Sequence, residues 1–479
     1  MKNHNMLDFK KKERIYQNKK NYIYKINETY GISTDKEYLL FNPYIHYWVK
    51  LDEIGKFICE ILNEGKSLTK LKEEIINKYS INIKTFKRDV FPFINELLKH
   101  GFYKKNKVNR DGKREKNNQK INMNNYPFND LYIRLTDQCN LNCIFCFNKD
   151  KRKIKKENNV SEDLLIKAIQ EFKKLGGNRV VFTGGEPTIC ESKLTYLGKT
   201  AKNIGLKTSI ITNGTLLSKI NLNKLILYID QISISLDSTN NKILRELWGT
   251  SRYKFEDIND SIKKIDLLAK KLNKKLLITI MPIVTSLNID GVVDIIKKVS
   301  NNINYCKYTW SLNKYGKIKC KNVDKKLNVN EEKYSKILID NYDKLYDKKL
   351  NSVKATLTKE NKIQAFSKPK KTTCAPSFFI ITNGDVFPCQ GFELDEYKLG
   401  NINNNSLKEI SLSNKFRKLI LDLNINNIKK CKKCELRYVC SSYCPAEGYK
   451  ETDEFSPSSD KLKNCKDVII KLMWLKTIT

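Results

Sequence analysis

Thr136-Asp137-Gln138-Cys139-Asn140-Leu141-Asn142-Cys143-Ile144-Phe145-Cys146 is the stretch on which the reading turns. It follows directly on Leu131–Leu135, an apolar run predicted as a strand, so its cysteines, spaced C-x3-C-x2-C, sit on the loop leaving that strand. Three thiolates on one loop can bind three irons of a [4Fe–4S] cube, which needs four ligands when closed. The fourth iron is then open, and can hold a small molecule by its amine and carboxylate, as an open position does at a catalytic zinc. A zinc knuckle needs a fourth ligand nearby, and neither Cys nor His follows at a suitable spacing.

Outward from this loop the chain alternates strand and helix. Predicted strands are Leu131–Leu135, Arg179–Thr183, Lys207–Thr212, Gln231–Leu236, Leu276–Pro282 and Cys306–Ser311, with helical stretches between them such as Ser161–Leu175, stopped by Gly176-Gly177. Right-handed crossovers make such a series a parallel sheet, open or curled into part of a barrel, with its chemistry at the carboxyl ends of the strands. The second strand ends in Thr183-Gly184-Gly185-Glu186-Pro187. Paired glycines there let backbone approach a ligand closely, and the adjacent acid can fix an ammonium group; a tight turn is the plainer reading of the same residues.

Together these residues resemble the radical S-adenosylmethionine (SAM) superfamily, whose signature is C-x3-C-x-aromatic-C, with Phe145 as the aromatic. The resemblance covers about residues 129–315 and implies a partial (β/α)6 barrel in an α/β chain. It implies that Cys139, Cys143 and Cys146 ligate a [4Fe–4S] cluster that binds SAM and, once reduced, cleaves it to a 5′-deoxyadenosyl radical. It further implies that Gly184, Gly185 and Glu186 hold the SAM amino group, that Ser235 contacts the ribose or carboxylate, and that Arg245 grips the carboxylate. A structural role competes with the functional one for Ser235 and Arg245. No catalytic acid or base is named by the sequence.

A second constellation begins at Cys374: C-x9-G-x4-C (Cys374, Gly384, Cys389), C-x2-C-x5-C-x3-C (Cys431, Cys434, Cys440, Cys444), then Cys465. Seven thiols exceed one four-ligand site and fall one short of two, which disfavours a pair of zinc ribbons. The spacing resembles the SPASM extension of radical SAM enzymes, which implies two auxiliary [4Fe–4S] clusters, hence three in all. The resemblance gives Cys431, Cys434, Cys440 and Cys465 to the outer one and Cys374, Cys389 and Cys444 to the inner one. Some relatives carry an eighth cysteine where this chain has Phe378, Phe379 and Ile380, so the inner cluster either keeps an open iron or takes another ligand. Cys59, Cys190, Cys306 and Cys320 read as buried filler.

Before the barrel, residues 38–50 (YLLFNPYIHYWVK) suggest short strands broken at Asn42-Pro43. Helical patterns follow at Leu51–Asn63, Ser67–Tyr79 and Thr85–His100, the last kinked by Pro92 and ended by Gly101. This winged-helix-like order resembles the RiPP recognition element, the domain that binds the leader of ribosomally made, post-translationally modified peptides. The resemblance implies that a leader adds a strand to the sheet edge and packs on the third helix. Lys84, Lys87 and Arg88 could attract an acidic leader. A DNA-binding winged helix has the same element order.

The expected domains are therefore 1–103 (core 38–103), a linker at 104–128, the barrel at 129–325, a bridging region at 326–370 and the SPASM domain at 371–479. This order resembles the maturases of sactipeptides and ranthipeptides. It implies an oxidoreductase acting on a precursor peptide, with thioether formation between a cysteine sulfur and a carbon as the expected reaction and a flavodoxin or ferredoxin as electron donor. A carbon–carbon cross-link, an epimerisation or an oxidative decarboxylation is the alternative within the same machinery.

Lys+Arg total 90 against Asp+Glu 53, a net charge of +37. Lysines are spread along the chain with acids between them, which favours a general bias over a nucleic-acid surface, although a nucleic-acid-binding or nucleic-acid-modifying iron–sulfur protein is the alternative from another class. No long apolar run and no secretory signal are evident, so the expectation is a cytoplasmic protein without a membrane partner.

Overall fold

The computed structural model describes residues 23–26, 30–33, 38–42, 47–64, 68–100, 102–106, 128–149, 159–311, 313–314, 325–340, 364–365, 377–434, 436–437 and 444–457. The first block opens with β1 (Ile23–Ile26), β2 (Tyr30–Ser33), β3 (Tyr38–Asn42) and β4 (Tyr47–Leu51). Asp52 caps α1 (Glu53–Asn63) by accepting from Gly55 N at 2.7 Å. Helix α2 (Leu68–Tyr79) follows, then α3, which runs Ile83–Thr85, a π-turn at Phe86–Val90 and Phe91–Lys99. That wide turn is the kink expected at Pro92, whose ring has no N–H to give the preceding turn. Strand β5 (Tyr103–Asn106) pairs antiparallel with β1. Leu40, Val49, Ile58, Leu71, Phe86 and Phe102 belong to a core confined to this block. Neither β1, β2 nor β5 stands out in the sequence, because four residues are too few to show an alternation. Residues 104–106 thus belong to a strand where a linker is expected, and residues 107–127 lie outside the described ones.

The second block runs β6 (Asp130–Arg134), α4 (Glu162–Lys174), β7 (Arg179–Thr183), α5 (Glu191–Asn203), β8 (Lys207–Thr212), α6 (Leu222–Tyr228), β9 (Gln231–Ile234), α7 (Asn241–Trp248), α8 (Phe255–Lys271), β10 (Leu277–Ile280), β11 (Ile283–Val284), α9 (Val292–Ser300), β12 (Lys307–Trp310) and β13 (Asn313–Lys314). Strands β6-β7-β8-β9-β10-β12 lie side by side and parallel, the six strands expected of the partial barrel. Their apolar residues are covered by helices whose own stripes face the sheet, as in α4, where Leu165, Ala168, Ile169 and Phe172 are buried behind a Ser161 cap.

The third block holds α10 (Glu331–Asp340), β14 (Gln364–Ala365), β15 (Ser377–Ile380), β16 (Asp385–Phe387), β17 (Gly400–Asn401), α11 (Leu407–Leu412), α12 (Asn414–Asp422) and α13 (Pro445–Thr452). Strand β15 pairs parallel with β6, Phe378 opposite Leu131, so the tail continues the barrel sheet to nine strands. Phe128 stacks on Phe378 at 4.8 Å and on Phe416 at 5.8 Å, and one apolar core runs from Leu131 and Phe182 to Phe378 and Phe416. Barrel and tail are therefore a single packed body. No helix among the described residues is long and apolar enough to cross a membrane.

Candidate metal and cofactor site

The carboxyl ends of β6 to β9 meet at the cysteine loop. The β6–β7 ladder continues past the strands: Leu135 N donates to Thr183 O (2.9 Å), Gly185 N to Thr136 O (2.8 Å) and Glu186 N to Gln138 O (2.8 Å). A methyl group on Gly184 would strike the Thr136 carbonyl, and one on Gly185 the Gln138 carbonyl. Both glycines are thus required by the close approach of the cysteine loop itself.

The other side of the loop rests on the end of α7, where Asn142 N donates to Trp248 O and Ile144 N to Leu247 O, each at 3.0 Å. Gly249 closes α7 at φ +64°, where a side chain would strike the Asn142 carbonyl. Asn140 donates to Thr215 Oγ1 (2.7 Å) and Tyr253 OH (3.0 Å). Asn213 Nδ2 donates to Asn140 Oδ1 (3.0 Å) and reaches Cys139 Sγ at 3.8 Å.

Cys139, Cys143 and Cys146 are partly buried on this scaffold. A loop offering three soft thiols and held by main-chain bonds fits an iron–sulfur cube with one corner unclaimed. Among the described residues no three His, Cys, Asp or Glu side chains converge as ligands of a single ion do, whereas a cube spreads its thiolates over separate irons. Ala in place of Gly185 pushes a Cβ into the Gln138 carbonyl, so the loop must shift. A displacement of about 1 Å costs on the order of 100-fold in a positioned reaction, so if the loop holds the SAM-cleaving cluster that its resemblance implies, Gly185→Ala should lose that much, read as 5′-deoxyadenosine released under dithionite.

Glu186 does more than its sequence role asks. Its carboxylate is fully buried and accepts from Thr188 N (3.0 Å), Thr188 Oγ1 (2.5 Å), Thr212 Oγ1 (2.7 Å) and Asn213 N (2.7 Å). Burial pushes its pKa up, and these donors pull it back. The side chain pins the turn after β7 to the end of β8. Ser235 follows β9 at the same end of the sheet, its N–H donating to Thr212 O at 2.9 Å, whereas Arg245 lies on the exposed face of α7.

Asp237, also fully buried, accepts from Trp248 Nε1 and Ile283 N, each at 2.7 Å. Burial pushes its pKa from 3.8 to about 6 against those two bonds. Its contribution to stability is whole below about pH 4 and is lost, by about 3 kcal/mol, as the pH rises through about 6 and the folded state must bury the charge. Urea titrations of the metal-free chain across that range should show the slope in the parent and a flatter one in Asp237→Asn.

In the tail, Cys389 opens the turn Gln390–Phe392 and Cys444 caps α13. A Cβ on Gly391 would lie 2.7 Å from Ala446 Cβ and 3.6 Å from Cys389 Sγ, so the Cys389 turn and the start of α13 meet there. Cys431 and Cys434 share the next turn, Cys434 N donating to Cys431 O at 2.9 Å. Cys374, Cys440 and Cys465 lie outside the described residues. Cys59 and Cys306 are buried, as expected of filler; Cys190 is only partly so, and Cys320 lies outside the described residues.

A buried polar network between barrel and tail has no counterpart among the sequence expectations. Arg134 grips Glu393 with two bonds (2.9 and 2.6 Å) and Asp137 with one (3.3 Å). Asp137 also accepts from Asn148 Nδ2 (2.9 Å) and Thr382 Oγ1 (2.7 Å). The first strand, the cysteine loop and the Cys389 hairpin are thereby tied at one point.

Residues 133–299 match the radical SAM superfamily, and residues 373–435 match SPASM, an iron–sulfur cluster-binding domain. A cysteine-type anaerobic sulfatase-maturating enzyme of Clostridium perfringens is 25% identical over 344 residues, 66% of this chain and 89% of that protein. An S-adenosylmethionine-dependent nucleotide dehydratase of Lacinutrix mariniflava is 32% identical over 159 residues, 30% of this chain and only a third (33%) of that protein. In fold, Streptococcus suis SuiB bound to precursor peptide SuiA superposes with a TM-score of 0.53 at 17% identity, covering 92% of this chain and 100% of that one. The structure of anSMEcpe with bound AdoMet gives 0.52 at 20% identity, covering 73% and 94%.

Proposed function

We propose, from the premise that this chain carries a radical SAM domain followed by a SPASM iron–sulfur domain, that it is a maturase of a ribosomally made precursor peptide. The reaction assigned to it is a bond between a cysteine sulfur and a carbon of another residue. The observation that supports this reading is the pairing of β15 with β6, which makes the barrel and the cysteine-rich tail one sheet, the Cys139 loop following β6 and Cys389 following β16, two strands away. One packed body then carries both a site that takes a hydrogen atom and one that accepts the electron left over when sulfur bonds to carbon.

When bound, a three-thiol cluster with SAM supplies a carbon-centred radical able to abstract hydrogen from an unactivated C–H bond. In this proposal Cys139, Cys143 and Cys146 ligate that cluster, and the main chain at Gly184, Gly185 and Glu186 holds the SAM amino group while the Glu186 side chain keeps the turn in place. Ser235 meets the ribose or carboxylate, and Arg245 reaches the carboxylate only by swinging in from the helix surface. Two auxiliary clusters fall to Cys431, Cys434, Cys440 and Cys465 and to Cys374, Cys389 and Cys444, which makes three in all. An acidic flavodoxin or ferredoxin supplies electrons. The leader docks on the amino-terminal block, whose strands and three-helix array support the recognition-element reading; the similarity to a sulfatase-maturating enzyme also supports a peptide substrate.

Anaerobic incubation with SAM, dithionite and any short cysteine-containing peptide found encoded beside the gene tests this. Each thioether should make the peptide lighter by two hydrogen atoms and remove one alkylatable thiol. A product with that mass loss and all its thiols free would instead be a carbon–carbon link. An unchanged peptide would contradict the maturase reading.

A further inference from the structure

We propose that Asp237 is a positioning residue for the cysteine loop: through the indole of Trp248 it fixes the end of α7 from which one side of that loop hangs. That the loop serves SAM cleavage rests on the reading above. The placement itself does not.

The last carbonyls of a helix have no partner within it and must find one elsewhere. In α1, α4 and α8 the residue that closes the helix gives its own N–H back to the last turn. Among the described residues Gly249, which closes α7, makes no such bond. Instead the carbonyls of Trp248 and Leu247 accept from Asn142 N and Ile144 N, the amides on either side of Cys143, each at 3.0 Å. The cysteine loop therefore caps α7, and takes its position from wherever that helix end is held.

What holds the end is a side chain. Trp248 is 1% exposed, and its Nε1 donates to Asp237 Oδ2 at 2.7 Å. Asp237 Oδ1 accepts from Ile283 N at 2.7 Å, and the Asp237 carbonyl accepts from Asn288 Nδ2 at the same distance. Ile283 opens β11, just beyond β10. Asp237, which follows β9, thus clamps the end of α7 to the segment leaving the next strand of the sheet.

The position is a costly one for an acid. The Asp237 side chain is buried with two N–H groups as its donors, and among the described residues no cation pairs with it. Departures of this kind from the rules of core packing concentrate where a side chain holds a functional element. The charge also suits the clamp. A carboxylate accepts from both donors at once, whereas an amide has a single oxygen and would turn its own N–H groups on one of them.

The test reads amide hydrogen exchange, residue by residue, in the intact chain purified without oxygen, in Asp237→Asn, in Trp248→Phe and in the double variant. Each single change should speed exchange at Asn142 and Ile144 about tenfold, the loss of one net hydrogen bond, and leave Gly185 and Glu186, on the loop's other side, as they were. The double variant should match the single ones, because the acid acts through the indole. Equal acceleration at all four amides is general loosening and overturns the proposal. So does no change at 142 and 144, or a double variant in which the two effects multiply. Should Asp237→Asn fail to fold, Trp248→Phe decides on the same four amides. With SAM and dithionite, the variants should also release 5′-deoxyadenosine about tenfold more slowly, and unchanged release from chains loosened at 142 and 144 overturns the positioning role. A parent chain that shows the protected amides but cleaves no SAM would sink the cofactor reading and leave the clamp standing, so the two failures can be told apart.

Discussion

Cys143→Ala is expected to release no 5′-deoxyadenosine above background from SAM under dithionite, while keeping the iron bound by the tail. The loop around Cys143 is held by bonds that do not involve its sulfur: Asn142 N and Ile144 N to the end of α7, Gly185 N and Glu186 N to its opening residues, and the Asn140 side chain to Thr215 and Tyr253. Alanine therefore leaves the loop folded and removes one of the three proposed ligands. A cube reduced to two protein thiolates is not retained, and bound iron should fall by about four per chain. Cys306→Ala, at a buried position away from the loop, should lose neither iron nor activity. If Cys143→Ala kept full cleavage, the assignment of the loop would be wrong.

The second large effect is on the join between barrel and tail. The Arg134 side chain is 1% exposed and faces Glu393, 9% exposed, so Arg134→Ala strands that carboxylate, with Asp137 beside it, in a dry site. Removing one partner of such a pair costs about 3–5 kcal/mol, against about 0–1 for a surface bridge. Replacing both, as Arg134→Met with Glu393→Leu, removes the stranded charge and should recover about 1–4 kcal/mol. Asp137 keeps its bonds from Asn148 and Thr382 in that double variant. Urea titration with hydrogen exchange read at β15 separates the cases: the single variant should loosen β15 from β6, and the double should re-protect it. Equal stability of all three chains would show that apolar packing of Phe128, Phe378 and Phe416 alone holds the join.

The barrel was legible because its signals are local. Each strand is a short apolar run ending in a loop with a recognisable composition, and the cysteines and glycines that meet in space lie on loops after consecutive strands. The predicted ends ran long at Gln231–Leu236 and Leu276–Pro282, where the ladders stop at Ile234 and Ile280 and the following residues turn into the mouth of the site. The join was not legible. Nothing near Arg134 names Glu393, 259 positions away, and nothing in SFFI says that it will lie parallel to β6. An acid after two glycines suggests an ammonium ligand, whereas the Glu186 side chain is turned into the protein. Its partners Thr188, Thr212 and Asn213 are ordinary residues whose meaning comes only from the turn they share. β14 is silent in the sequence for a similar reason, since its two described residues carry no period.

One experiment bears on the whole assignment: a chain in which all seven tail cysteines (Cys374, Cys389, Cys431, Cys434, Cys440, Cys444 and Cys465) are alanine, loaded with iron and sulfide without oxygen and given SAM and dithionite. The expected result is about four bound irons per chain and continued release of 5′-deoxyadenosine, because the Cys139 loop alone holds the cube that opens SAM. A folded chain that binds iron at the loop and leaves SAM intact would contradict it.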